Sequence, residues 1–175
     1  NSIWGDPTGT VQKAMKKVAD LFTVHFQHSR LYRTPAFPAG IGPDFTNAAM
    51  SFETAEKPRH VLEKLHQIEA EAGRLRQTRW GQRTLDIDLI GGGDLVLPDA
   101  GQHAYWRNLT PQEQAKTTPT ELFLPHPRVQ DRAFVLVPLG DIAPTWRHPV
   151  LGQTVVEMLA ALPADQVAEV VPITP

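Results

Sequence analysis

At 175 residues the chain matches one domain of ordinary size, roughly 100 to 200 residues, and 41% hydrophobic against 21% charged residues excludes a disordered segment. With 17 Lys and Arg against 19 Asp and Glu, the formal net charge is -2, so no global positive field draws in nucleic acid or an anionic membrane, and any anion site must be local. The lack of cysteine excludes disulfides, thiolate catalysis and Cys-ligated zinc, no apolar run approaches the roughly 20 residues that span a bilayer, and the expectation is a soluble, cytoplasmic protein of one domain over 1–175.

Asp6-Pro7 reads as an N-cap with proline at the first helical position, followed by Val11, Ala14, Met15, Val18, Leu21 and Phe22 at helical spacing. Thr23 to Arg33 is rich in β-branched and aromatic residues and is read as a strand ending at Thr34-Pro35. Three prolines and two glycines between Pro35 and Pro43 predict a loop, the kind of segment on which sites concentrate. A second strand is expected over Phe45–Glu53. A second helix is expected over Pro58–Ala72, with Val61, Leu62, Leu65, Ile68 and Ala72 on one face and Gly73 as its left-handed terminator.

Thr84 to Ile90 alternates, placing Leu85, Ile87 and Leu89 on one side and Asp86, Asp88 and Ile90 on the other, as a strand would. Gly91 to Asp94 is a turn and Leu95–Leu97 a short return strand. Pro98 to Glu121 is polar and weakly periodic, and is read as an insertion with a short helix near Pro111–Ala115. Ala133–Leu139 is strand-like, and Thr154 caps a terminal helix to Leu162.

Chemistry concentrates after Gly73. Arg74, Arg76, Arg79 and Arg83 precede Asp86 with no acidic residue between, and guanidinium forks match phosphate oxygens bidentately. Asp86 and Asp88, two apart on a strand, project to the same side. Such close like charges fit divalent cations, and Mg²⁺ favours one or two carboxylates completed by phosphate oxygens and water. Alone, either feature is most often a solvated face; side by side they suggest a nucleotide polyphosphate undergoing displacement. Gly91 to Gly93 lacks a following Lys-Ser or Lys-Thr, so a P-loop is excluded. A second cluster sets His126 between Pro125 and Pro127, with Arg128 and Arg132 following. Phe45 and Phe134 are core by default, or else sandwich a flat heteroaromatic ligand. His25 and His28 fall on opposite faces of a strand without further ligands, and are not read as a metal site.

Four segments in order, Tyr32-Arg-Thr-Pro35, Pro43-Asp-Phe-Thr-Asn-Ala-Ala49, Arg79-Trp-Gly-Gln-Arg-Thr-Leu-Asp-Ile-Asp88 and Pro125-His-Pro-Arg-Val-Gln-Asp-Arg-Ala-Phe134, resemble the 6-hydroxymethyl-7,8-dihydropterin pyrophosphokinases of folate biosynthesis. The resemblance runs from Asn1 to about Val156. It implies transfer of the β,γ-pyrophosphoryl group of ATP to the pterin hydroxymethyl oxygen, with release of AMP and two Mg²⁺ ions. By the same resemblance Asp86 and Asp88 hold the metals, Arg79, Arg83, His126 and Arg132 contact the ATP phosphates or steady the leaving AMP, and Glu69, Arg74, Arg76 and Ile87 lie on the nucleotide side. Asn47 and the backbone around Thr34 and Pro35 read the pterin edge, Phe45 and Phe134 sandwich its ring, and Trp80 belongs to a closing loop.

The implied fold is an α+β, ferredoxin-like βαββαβ sandwich with added C-terminal elements, in a monomer, and the family's first strand should precede Asn1. Phe45 stands where tyrosine is frequent, His66 where glutamine is frequent near the nucleotide, and the stretch from Pro98 to Glu121 exceeds the usual family length. Whether Asp88 accepts the hydroxyl proton or metal activation suffices stays open at this level. So do two rivals, a non-enzymatic binding module of the same fold and a metal-dependent nucleotide hydrolase.

Overall fold

The computed structural model describes residues 6–35, 43–73, 85–116 and 121–174. Helix α1, Pro7–Leu21, starts where the Asp6 carboxylate accepts the Gly9 amide at 2.8 Å, with proline in the first turn where a missing N–H costs nothing. Val11, Ala14, Met15 and Val18 form its buried stripe. Helix α2, Pro58–Glu71, buries Val61, Leu65 and Ile68 against that stripe, and Gly73 at φ +126° ends it as the sequence predicts. Phe22 stacks on Phe52 at 4.2 Å between centroids and closes this first core.

The two long strands expected over 23–33 and 45–53 are each cut into short pieces. Strand β1, Gln27–His28, pairs with β4, Met50–Ser51, while β2, Tyr32–Thr34, lies between β3, Phe45–Asn47, and β5, Val171–Pro172; all pairs are antiparallel. Two local causes account for the cuts. Val24 and His25 turn the chain, His25 at φ +48°, so nothing before Gln27 extends. The buried Ser29 hydroxyl then accepts the Ala49 amide at 2.9 Å, a side-chain bond standing where a ladder bond would continue the sheet.

Residues 85–90 carry no strand, but their side chains divide as read: Leu85 is buried, Ile87 and Leu89 pack against the first core, and Asp88 is exposed. Among the described residues, however, this segment joins no ladder, and Thr84 lies outside them. Of the return strand only an isolated bridge between Leu97 and Leu124 exists. The insertion is more ordered than its polarity suggests, folding into α3, Ala100–Asn108, and α4, Pro111–Lys116. Asp99 caps α3 by accepting the Gln102 amide at 2.9 Å.

The largest correction is at 133–139, read as a strand. It is the start of helix α5, Ala133–Ile142, with Pro138 inside. A short run that is apolar on every side has no period to separate strand from buried helix. Here Ala133, Leu136 and Leu139 are buried three apart, and Pro138 forfeits one hydrogen bond in return for its own burial. Helix α6, Val155–Ala161, has the predicted Thr154 cap, completed by Glu157 into a capping box, but it is not terminal: α7, Ala164–Ala168, and β5 follow. Leu136, Leu139, Val155 and Met158 form a second core with Val129. Asp141 of α5 latches this helix to β2, its Oδ1 accepting from the Arg30 guanidinium at 2.8 Å and its Oδ2 from the Tyr32 hydroxyl at 2.8 Å. These bonds to the ionised form hold the Asp141 carboxyl below the usual carboxylate range. The frame is α+β, and no helix among the described residues is long and apolar enough to cross a membrane.

Candidate active site

The segment from Leu85 to Ile90 is fixed at both ends and in the middle. Leu85 anchors it in the first core. The Ile87 amide donates to Glu69 Oε1 at 2.6 Å, which explains a carboxylate on α2 only 7% exposed, since a buried charge must be hydrogen-bonded. The His126 amide donates to the Ile90 carbonyl at 2.7 Å. Asp86 and Asp88 are thereby held on one short stretch, and that stretch, with Ile87 and Leu89, walls two cavities of about 700 and 680 Å³.

The first cavity is mostly apolar. Its walls include α1, the turn after β3, Phe134 in the first turn of α5, and Trp146. Asn47, on the same wall, is buried and donates through Nδ2 to Thr34 Oγ1 at 2.8 Å, so two residues distant in sequence form one polar unit. Pro35 follows Thr34 and is exposed. Phe45 pairs with Thr34 in the ladder, and Phe134 lines the cavity. Gly91 is required by close approach: a Cβ there would come within 2.8 Å of the Trp146 indole, whose Nε1 donates to the Gly93 carbonyl at 3.0 Å.

The second cavity is charged. Arg59, His66 and Glu69 enter from α2, and His126, Arg128 and Arg132 from the other side. Burial, reinforced by the Arg132 charge and opposed by Asp88, pushes the His126 imidazole down to about 4, so it is neutral at pH 7. Burial also lowers the Arg132 guanidinium from its ordinary value, while Asp88 supports its charge. The Arg132 guanidinium lies 5.7 Å from the centre of the Phe134 ring, a cation–π contact that reaches from one cavity wall toward the other. Arg128 is engaged by Asp131 at 3.0 Å.

Sequence reasoning gave no role to Arg59, Trp106, Gln114 and Phe123, which also line this cavity. Trp106 of the insertion stacks on Phe123 with centroids 5.4 Å apart; a tryptophan in an otherwise polar stretch was the available signal. Arg74, Arg76, Arg79, Trp80 and Arg83 lie outside the described residues. Among the described residues no three His, Cys, Asp or Glu side chains cluster as a metal site. The two aspartates nonetheless fit Mg²⁺, being hard oxygen donors two residues apart at the boundary of both cavities, with the rest of an octahedron left to substrate oxygens and water.

The α+β frame thus carries a carboxylate pair on the wall shared by a mostly apolar cavity and a charged one. The chain belongs to the 7,8-dihydro-6-hydroxymethylpterin-pyrophosphokinase (HPPK) family, whose family model matches residues 2–144. It is 37% identical over 144 residues to the 2-amino-4-hydroxy-6-hydroxymethyldihydropteridine pyrophosphokinase of Synechocystis sp., covering 82% of this chain and 63% of that protein. Proteins of the same description from Methylorubrum extorquens, 40% identical over 131 residues, and Pseudomonas aeruginosa, 36% over 137, cover 75% and 78% of this chain and 69% and 72% of their own lengths. The chain thus spans a little under two thirds of the Synechocystis relative.

Proposed function

We propose that this protein transfers the β,γ-pyrophosphoryl group of ATP to the hydroxymethyl oxygen of 6-hydroxymethyl-7,8-dihydropterin, releasing AMP, as a step of folate biosynthesis. One observation carries the reading beyond family membership. The Asp86–Leu89 stretch is the common wall of both cavities, where a group passing from one bound substrate to the other must cross. The pterin occupies the polar end of the first cavity, its edge against the Asn47–Thr34 unit and one face on Phe134; Pro35 and Phe45 border that end from outside. ATP occupies the second cavity, its phosphates toward His126 and Arg132 and its nucleoside toward Glu69 and Ile87. Arg74, Arg76, Arg79, Arg83 and Trp80, outside the described residues, are assigned to the ATP side by their match to the family's motif alone.

Asp86 and Asp88 would hold two Mg²⁺ ions, which when bound neutralise phosphate charge and acidify the attacking hydroxyl. The chain's own residues do the remainder. Glu69 fixes the carboxylate stretch through the Ile87 amide. Neutral His126, whose Nδ1 accepts the Arg128 amide at 3.1 Å, is left to donate from Nε2 without adding repulsion to Arg132. Arg132, partly desolvated, offers the charge that the departing AMP needs, and a desolvated charge acts more strongly than one in water.

The ferredoxin-like arrangement belongs to the same proposal. Helix α1 packs on both α2 and β3, and α5 packs on β2 and β3. The protein so assembled would act as a soluble cytoplasmic monomer over residues 1–175.

Incubation with ATP, Mg²⁺ and 6-hydroxymethyl-7,8-dihydropterin tests the reading through the nucleotide released. Pterin-dependent AMP without free pyrophosphate is the expected result. ADP or phosphate formed without pterin would replace it with a hydrolase, and binding of both ligands without turnover would replace it with a binding module.

A further inference from the structure

The insertion carries a buried histidine that the reaction, as read above, does not use. His103 on α3 is fully buried, as is His148 in the turn before α6, and their rings lie 6.4 Å apart. His103 Nε2 donates to the Pro125 carbonyl at 2.8 Å; a carbonyl only accepts, so the proton sits on Nε2 and Nδ1 is left an acceptor. Pro125 immediately precedes His126. The backbone there is held at three successive residues by three different segments: Leu124 by the paired bonds with Leu97, Pro125 by His103, and His126 by the Ile90 carbonyl. Of the three, only the Pro125 anchor is a side chain.

The far side of His103 is equally specified. His148 Nδ1 accepts the amides of Val150 and Leu151 at 3.2 and 3.1 Å, which puts its proton on Nε2. Among the described residues His148 Nε2, His103 Nδ1 and Arg107 Nη1, one turn further along α3, are buried without hydrogen-bond partners. The histidine pair therefore joins the insertion, the His126 loop and the turn before α6.

We propose that His103 is a positioning residue for His126, holding the Pro125 carbonyl so that the imidazole stands at the wall of the second cavity; its kinetic consequence rests on the assignment of that cavity to ATP. Glutamine can place an amide N–H where Nε2 stands, asparagine falls one methylene short, and leucine fills the space without a donor. The expected result is that His103→Gln stays within about threefold of the parent in KM for ATP and in kcat. His103→Asn and His103→Leu lose about tenfold or more in kcat/KM for ATP, with the pterin KM unchanged, since misplacing a group by about 1 Å can cost up to about a hundredfold.

The nitrogen chemical shifts of His126 in the ligand-free protein give a second reading that needs no turnover, and should move in the Asn and Leu variants but not in the Gln variant. Should the Leu variant fail to fold, the Gln and Asn pair decides. Equal behaviour of Gln and Asn, loss of pterin binding together with ATP binding, or failure of all three variants to fold would assign His103 to the core alone and overturn the proposal. Failure of the parent protein to release AMP, with the His126 shifts responding as expected, would instead remove the ATP assignment and leave the positioning intact.

Discussion

The two cavities are nearly equal in volume and share one wall, yet they are built on opposite principles. The first is lined mostly by apolar side chains, and its polar groups include Asn47, which donates one amide N–H to Thr34, and the carboxylates of Glu53 and Glu56 at its edge. The second is lined by three arginines and two histidines among its described walls, and its electrostatics follow from burial, which makes His126 neutral and weakens the hold of Arg132 on its proton. A flat, uncharged ring is selected by shape and a few fixed hydrogen bonds, whereas a polyphosphate is held by charge. The contrast teaches that changes on one side should leave binding on the other nearly untouched, except where the shared Asp86–Leu89 wall is altered.

The sharpest break of that contrast is at the shared wall. Asp88→Asn should reduce pyrophosphoryl transfer by about a thousandfold or more, since charge stabilisation of several kcal/mol is at stake, while calorimetry still records pterin binding. Activity within tenfold of the parent would remove the carboxylates from the chemistry. Arg132→Met should act on the charged side alone, lowering kcat/KM for ATP by about ten- to a hundredfold, the range of a lost charge-assisted hydrogen bond. A comparable rise in the pterin KM would show that the cavities are not independent.

Asn47→Ala is the converse, with the pterin KM rising about tenfold and stability falling by about 1 to 2 kcal/mol for the lost buried hydrogen bond. Steady-state kinetics in both substrates and urea titration read the two effects separately. Smaller still, His148 is displaced from its usual value down to about 4, by burial first and then by His103 and Arg107. The unfolded chain takes up a proton below about pH 6.5 while the folded protein does not, so stability is full above that pH, falls as pH drops toward 4, and levels off beneath it. The loss at pH 5 is on the order of 2 kcal/mol, and His148→Gln should flatten this part of a thermal-midpoint profile. An unchanged profile would mean that the imidazole is charged in the folded protein.

What could be read in the sequence followed short-range rules. Asp6-Pro7 and Thr154 marked helix starts because capping involves neighbours three residues away, and the period of Val11, Ala14, Met15 and Val18 named the face of α1 that is buried. Asp86 and Asp88 fall on one wall because they lie two residues apart on one short stretch. The run at 133–139 was misread because its apolar residues satisfy both periods, and only its neighbours, α6 on one side and the sheet on the other, make a helix the better burial. The insertion likewise gave a weak period, since α3 buries a histidine rather than an apolar stripe.

The sequence by itself therefore determined the α+β class, the outer helices, and the residue types of the candidate site: two carboxylates, the arginines, His126, Asn47 and Phe134. Tertiary structure alone decided that one four-residue stretch divides two cavities, that Glu69 spends its carboxylate on the Ile87 amide, and that a histidine from the insertion grips the carbonyl before His126. The side-chain pairings among these join residues eighteen or more positions apart, and neither a period nor a local cap encodes such a pairing; it is fixed only when the two cores close and buried polar groups must find their partners.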